Sequence, residues 1–344
     1  MEKVAVIGTT NWGTTLGIML GRRGLVVKLW ARTVDEAERL NRDRENSLRL
    51  AGFAFPDELS ATASFEEALG GASLVILAVP AQSMRRNVGL VREHIGKGML
   101  ILSVAKGLEL DSAKRMSQVI SEELGGDMEP GICVLSGPNL SGEIARELPA
   151  ATVVASGDIS TAERVQKMMA SPLFRVYTNT DVIGVELGGV LKNVIALAAG
   201  MVDGLGYGDN TKAGLITRGL AEITRLGVTA GANPLTFAGL AGLGDLVATC
   251  SSSLSRNRYV GQELARGRPL DEITASMTGL AEGITTTVAA LKLAGELNVE
   301  MPIARQVYRA LYEGLDVRRG IAELMERELK HEFADIPGSA IERQ

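Results

Sequence analysis

The sequence predicts a two-domain α/β protein in which a doubly wound parallel sheet, residues 1–180, is followed by an all-helical half, residues 181–344. Three patterns carry that expectation. The chain opens as strand, glycine turn, helix and second strand; short β-rich runs then alternate with amphipathic helix patterns; and from Asp181 onward helix follows helix without a strand pattern. Such alternation lays crossover helices over a parallel sheet, and the change of period marks a boundary near residue 180.

Lys3 to Ile7 is apolar and has the length of a buried strand. Gly8-Thr9-Thr10-Asn11-Trp12-Gly13 follows, then a helical run to Arg23 and a second strand at Val26 to Trp30. This is the order of a Rossmann-like dinucleotide-binding βαβ unit, with Gly8 and Gly13 at the outer glycine positions and Thr10 in place of the middle one. A generic strand-turn-helix gives the same match, so repetition has to decide. Leu74 to Pro80, Met99 to Ala105 and Ile132 to Pro138 repeat the strand pattern, and Ala151 to Ser156 and Phe174 to Asn179 add a further pair. Residues 44–62, with Asn, Pro, Gly and two Phe, read as an irregular insertion. In the second half, residues 184–203, Asp209 to Arg225, Thr285 to Leu297, Met301 to Gly314 and Ile321 to His331 have helical periodicity.

With 46% hydrophobic and 22% charged residues, the composition is that of a globular chain with core enough for two domains. A net charge of −5 gives no electrostatic reason to expect nucleic acid or an anionic membrane as partner. Strand chemistry from the third residue leaves no room for a signal peptide, and no charge-free apolar run reaches the length of a membrane span; a cytoplasmic protein is expected. Cys133, in an apolar strand pattern, and Cys250, in a serine-rich loop, lack the paired spacing of a zinc or dithiol site, so no metal is expected.

The stretch from Gly184 to Asp203 organises the second half. Between Gly188 and Asp203 its only charged side chain is Lys192. On a helical wheel Val190, Val194, Leu197 and Met201 form an apolar stripe, while Gly188, Gly189, Ala196 and Ala199 surround the lysine. Either the small residues let another helix approach, with Lys192 snorkelling past it, or the lysine is a desolvated acid/base. A dinucleotide-binding half suggests hydride transfer, which needs a partner group to move a proton. His94 lies in a surface-type helix and His331 in a charged tail, and no tyrosine is followed four residues later by lysine. Lysine is what remains.

Lys106 is a second candidate, since it directly follows a strand and so stands at the carboxyl end of the sheet, where ligands bind in this architecture; a solvated loop lysine is the alternative. Asp245, within Gly242-Leu243-Gly244-Asp245-Leu246, could pair with a catalytic lysine, hydrogen-bond a substrate hydroxyl, or cap a helix. Ser255-Arg256-Asn257-Arg258 opens a helix pattern, and the helix amino terminus, hydroxyl and guanidinium together suit a phosphate. At the end of the second strand stands Trp30-Ala31-Arg32-Thr33, where an NAD-specific protein usually carries an acid. Arg32 can pair with a 2′-phosphate, so NADP is expected to serve at least as well as NAD.

The run Leu191-Lys192-Asn193, continuing through Asp203-Gly204-Leu205-Gly206-Tyr207-Gly208-Asp209-Asn210-Thr211-Lys212, closely resembles bacterial NAD(P)-dependent glycerol-3-phosphate dehydrogenases. So do Leu240 to Asp245, Leu254 to Arg258, Asn11-Trp12-Gly13, Ala105-Lys106-Gly107, Ser136-Gly137-Pro138 and Glu282-Gly283, which together cover nearly the whole chain. The resemblance implies reduction of dihydroxyacetone phosphate to sn-glycerol 3-phosphate, for phospholipid synthesis, with Lys192 as proton donor and Lys106 and Asp245 beside the substrate. It implies substrate contacts at Gly137, Asn139, Ser255, Arg256 and Asn257, and cofactor contacts at Asn11, Trp12, Arg32, Lys106, Ser141, Arg256 and Glu282. The chain departs from the family pattern at Thr10, at Asn139, where Ser or Thr is usual, and at Ser141, where Ala is usual. A left-handed backbone at Thr10 would cost on the order of 1 kcal/mol. Two other readings stand beside this one: a dinucleotide-sensing protein of the same fold without turnover, and a lysine-dependent hydroxy-acid dehydrogenase. A homodimer is compatible with all three.

Overall fold

The computed structural model describes residues 2–125, 131–277, 279–329 and 331–332. The chain divides into two compact units, Met1–Lys106 with Lys114–Val182, and Gly107–Ala113 with Ile183–Gln344. A single cut at 180 does not anticipate the transfer of Gly107–Ala113 to the second unit, in whose core Leu108 is fully buried.

The first unit is built on one eight-stranded sheet. Its strands are β1 (Lys3–Ile7), β2 (Val26–Trp30), β3 (Leu59–Thr62), β4 (Leu74–Leu77), β5 (Leu100–Ser103), β6 (Gly131–Ser136), β7 (Ala150–Ala155) and β8 (Phe174–Asn179), in the order β3-β2-β1-β4-β5-β6-β7-β8. Side chains alternate across the sheet: Val4 and Val6 join one core, Ala5 and Ile7 the other. A strand covered on both faces must be apolar at every position, which is why these runs read as continuous hydrophobics rather than as alternating ones. The order reverses between β1 and β4, the switch point outside which ligands bind in doubly wound sheets.

Two expectations fail here. Within the segment read as an irregular insertion, Leu59–Thr62 is a strand, parallel to β2 at the sheet edge. It is four residues long with Ser and Thr in alternate places, so its strand character comes from pairing rather than from its own propensity. The sheet is also not wholly parallel, because β7 runs antiparallel to β6 before β8 returns parallel to β7.

The second unit is helical among its described residues. Its centre is the helix Val182–Gly204, in which every residue from Gly184 to Val202 is buried. By length and composition that helix and the stretch Pro234–Ser251 could each cross a membrane; the apolar window of the first is 89% buried within the folded chain, as a core helix is. The small residues let neighbours approach backbone to backbone. A Cβ on Gly200 would lie 1.9 Å from the Arg258 carbonyl oxygen, and one on Gly261 would lie 1.9 Å from that of Leu197. These glycines set the crossing of Val182–Gly204 with the helix Arg256–Ala265. Cys250, expected in a loop, is buried in the helix Asp245–Ser251, where burial pushes its thiol up to about 12.

Candidate active site

In the sheet unit the glycine turn rests on the switch point. Gly8, at φ +113°, lies so close to the end of β4 that a Cβ would stand 2.7 Å from the Ala78 carbonyl oxygen. Gly13 has the same constraint from inside the turn, since its Cβ would stand 2.3 Å from the Gly8 oxygen. Thr10 between them is not strained: its backbone is extended, at φ −68° and ψ 165°. Its hydroxyl accepts the Gly13 N–H at 3.0 Å and donates to the Ala78 oxygen at 2.9 Å, so it caps the helix Asn11–Arg22 and ties it to β4. The left-handed cost considered for a non-glycine residue there does not arise.

These residues fit a dinucleotide. The backbone cradle at Gly8 and Gly13 admits no side chain, and the N–H groups of Asn11 and Trp12, at the start of a 12-residue helix, lie beyond the reach of its internal ladder. The Trp12 indole N–H is buried and has no hydrogen-bond partner among the described residues. Arg32, just past β2, presents an exposed side chain, while its backbone N–H donates to Glu36 at 3.2 Å.

At the carboxyl ends of β5 and β6, Lys106 is half-buried and donates to the Gly137 carbonyl oxygen at 2.8 Å. Gly137 needs its glycine: at φ +144° a Cβ would stand 3.1 Å from the Thr152 Cα. Asn139 donates from Nδ2 to Thr152 at 3.0 Å, and its Oδ1 is buried without a partner among the described residues. Thr152 in turn donates to the Ser136 carbonyl at 2.8 Å. Ser141 begins the short helix Ser141–Ala145 nearby in sequence. The Asn139 carboxamide thus ties the turn after β6 to β7 through Thr152.

In the helical unit, Lys192 is 6% exposed and Asp245 1%, and the two form a buried ion pair. Lys192 also donates to the Thr249 hydroxyl at 2.6 Å, and Thr249 donates to Asp245 at 3.3 Å. Gly188 makes this possible, because a Cβ there would lie 2.7 Å from the Ala241 carbonyl oxygen, on the π-turn Leu240–Gly244 that delivers Asp245. The small residues do admit a neighbouring segment, but Lys192 does not snorkel out past it: the lysine stays buried, and the segment brings the carboxylate to it. The capping alternative for Asp245 fails, because Gly244 holds the N-cap position, Asp245 is the first residue inside the helix, and its side chain is directed to Lys192.

Ser255 caps the helix Arg256–Ala265, accepting the Arg258 N–H at 3.3 Å. Arg256 is exposed, with the backbone of Gly279 against its guanidinium: a Cβ on that glycine, at φ +111°, would lie 2.4 Å from Nη1. Asn257 is buried and ties elements together, donating to Asn193 Oδ1 at 2.9 Å and accepting the Gly283 N–H at 2.9 Å. One amide hydrogen of Asn257 is left over for any further partner. Glu282 opens the helix Glu282–Glu296 next to that contact.

Sequence reasoning missed Thr249, although it follows Asp245 by four residues and so shares its helix face. It also missed Asp203, which holds Arg258 at 2.5 Å and Lys212 at 2.9 Å and joins three helices near the Ser255–Arg258 turn.

The chain matches the family profile described as NAD-dependent glycerol-3-phosphate dehydrogenase N-terminus over residues 3–162, and that of the C-terminus over residues 181–322. A glycerol-3-phosphate dehydrogenase [NAD(P)+] of Dehalococcoides mccartyi is 52% identical over 335 residues, 97% of this chain and 93% of that one. The protein of the same description from Chlorobium limicola is 49% identical over 329 residues, 96% and 99% of the two chains. The crystal structure of glycerol-3-phosphate dehydrogenase from Coxiella burnetii superposes with a TM-score of 0.90 at 36% identity, covering 95% of this chain and 99% of that one. With both halves matched and relatives near half identity over almost the full length, this chain belongs to the NAD-dependent glycerol-3-phosphate dehydrogenase family.

Proposed function

We propose that this chain reduces dihydroxyacetone phosphate to sn-glycerol 3-phosphate reversibly with NADH or NADPH, and that its product supplies the glycerol phosphate backbone of phospholipids. The observation that carries the reading is the buried Lys192–Asp245–Thr249 cluster in a chain of this family. A nucleotide-sensing protein would have no use for a buried ammonium whose charge is held by both a carboxylate and a hydroxyl.

A dinucleotide held at the glycine turn would supply, when bound, the hydride for the ketone carbon. As the carbonyl oxygen gains electron density, the Lys192 ammonium donates a hydrogen bond and then its proton, so that C=O becomes CH–OH and the lysine is left as the neutral amine. Asp245 fixes the position of that lysine through their ion pair, and Thr249 limits the directions in which the ammonium can point. The reverse reaction begins from the neutral amine. Lys106 is assigned to the substrate with Gly137 and Asn139, and the glycine turn, Arg32, Ser141 and Glu282 to the cofactor. Arg256 presents a planar fork to the phosphate, Ser255 shapes the turn it projects from, and Asn257 offers its remaining amide hydrogen.

The test is absorbance of NADH and NADPH with dihydroxyacetone phosphate, and with dihydroxyacetone, for the wild type and Arg256→Lys. The phosphorylated ketone should be reduced and the unphosphorylated one barely, since binding energy from the remote phosphate also positions the reacting carbon. Arg256→Lys keeps the charge but not the fork and should lower kcat/KM for the phosphorylated ketone at least tenfold, about 1.4 kcal/mol. An equal drop for both ketones removes Arg256 from the phosphate.

A further inference from the structure

The end of β2 lacks the acid that a dinucleotide fold usually places there for the adenosine ribose, yet the structure brings one in from a turn further on. Glu36, in the first turn of the helix Val34–Asp43, is half-buried, and its carboxylate bridges two loops. Oε1 accepts the Thr9 hydroxyl at 2.7 Å, from the glycine turn after β1, and Oε2 accepts the Arg32 backbone N–H at 3.2 Å, from the loop after β2. Since β1 and β2 are hydrogen-bonded neighbours, this carboxylate lies across the carboxyl ends of both. That is where the ribose of a dinucleotide lies in this class of fold.

A helix-capping role explains some of this. Thr33 caps the helix and accepts the Glu36 N–H at 3.2 Å, but a capping box would return the glutamate to the N–H of Thr33 itself, whereas this one passes to Arg32 and to Thr9, 27 residues away. A carboxylate has about four lone-pair directions, and these two bonds use half of them. The remainder suit the vicinal hydroxyls of a ribose. They also oppose a phosphate on the 2′-oxygen, which would bring a second anion against the first while Arg32 attracts it.

We propose that Glu36 is a cofactor-discriminating residue, accepting the adenosine-ribose hydroxyls of NADH and setting a counterweight to the attraction of Arg32 for the 2′-phosphate of NADPH. The inference rests on the dinucleotide site of the proposed function. Thr9 acts through Glu36 as a positioning residue. The dual use of NAD and NADP in this chain is then the balance of one anion and one cation four residues apart.

Direct binding tests it without turnover. Dissociation constants for NADH, NADPH, 5′-AMP and adenosine 2′,5′-bisphosphate are measured by calorimetry on wild type, Glu36→Gln and Thr9→Val. Glu36→Gln should tighten NADPH and the bisphosphate by about tenfold and weaken NADH and 5′-AMP by about threefold or more, the loss of one charge-assisted bond. Thr9→Val should shift the same ratio in the same direction by less. A ratio unchanged in Glu36→Gln, with both dinucleotides still bound, overturns the assignment of Glu36 alone; a wild type that binds neither dinucleotide overturns the proposed function with it.

Discussion

Replacing Lys192 by methionine tests the buried pair and the proton donor at once, and the two consequences separate. Methionine is close in length and apolar, so the packing of Val182–Gly204 is kept, but the Asp245 carboxylate, 1% exposed, loses its ammonium. Breaking a buried ion pair from one side costs about 3–5 kcal/mol, because the remaining charge has neither water nor its partner. For a unit of this size about 1 kcal/mol moves the melting temperature by some 2–4 °C, so Lys192→Met should melt roughly 6–20 °C lower. Asp245→Asn, which strands the ammonium instead, should lose a similar amount. The double variant removes both charges, and its stability should return to within about 2 kcal/mol of wild type, a coupling of at least about 4 kcal/mol in the cycle. Calorimetric or urea melts give the stabilities. Turnover should not follow them: Lys192→Met and the double variant should both lose roughly a hundredfold or more in kcat, since neither has the acid. Additive, small destabilisation would show that the lysine escapes to solvent, and near-normal turnover in Lys192→Met would end its role as proton donor.

Glu222 gives the fold a pH dependence of its own. Burial pushes its carboxyl up from 4.5 to about 7, against the pull of the Ile303 and Ala304 N–H groups, each 2.9 Å from it, and of Arg225 and Arg327. The folded chain then holds a proton that the unfolded chain releases, so this stabilisation is full below about pH 4.5 and is lost as pH rises through about 7, at about 1.4 kcal/mol per unit. Glu222→Gln removes that slope, and urea melts at pH 5, 6 and 7 should show the variant gaining on wild type at each step; a constant difference refutes it. Gly261→Ala sets a methyl 1.9 Å from the Leu197 oxygen and must push the two crossing helices apart, for about 3 kcal/mol or total loss of folding. Gly295→Ala, with nothing within 4 Å of the new carbon, should be neutral or stabilising by up to about 1 kcal/mol, and equal losses in the two would show that the close crossing is not what requires Gly261.

What could be read from the sequence was what has a period or a fixed local geometry. Strands buried on both faces announce themselves as apolar runs, and β1 and β4 begin where those runs begin; β8, at the sheet edge, shows alternating burial instead. A lone lysine in a small-residue helix is visible for the same reason, since nothing else on that helix is charged between Gly188 and Asp203. What was not legible depends on partners distant in sequence. The strand β3 exists because β2 offers it a ladder, not because Leu-Ser-Ala-Thr prefers to be extended. Asn257 looks like a ligand for phosphate beside Arg256, yet half of its hydrogen-bonding capacity goes to Asn193, 64 residues back, and to Gly283, 26 residues on. Glu36 is the sharpest instance. Its place at the ribose end of the sheet comes from a helical turn that carries a carboxylate back over the loop it has just left, so a search for an acid directly after the second strand finds Arg32 and stops. The charge that opposes that arginine is four residues further on, in the first turn of the next helix, with its carboxylate folded back onto the Arg32 backbone.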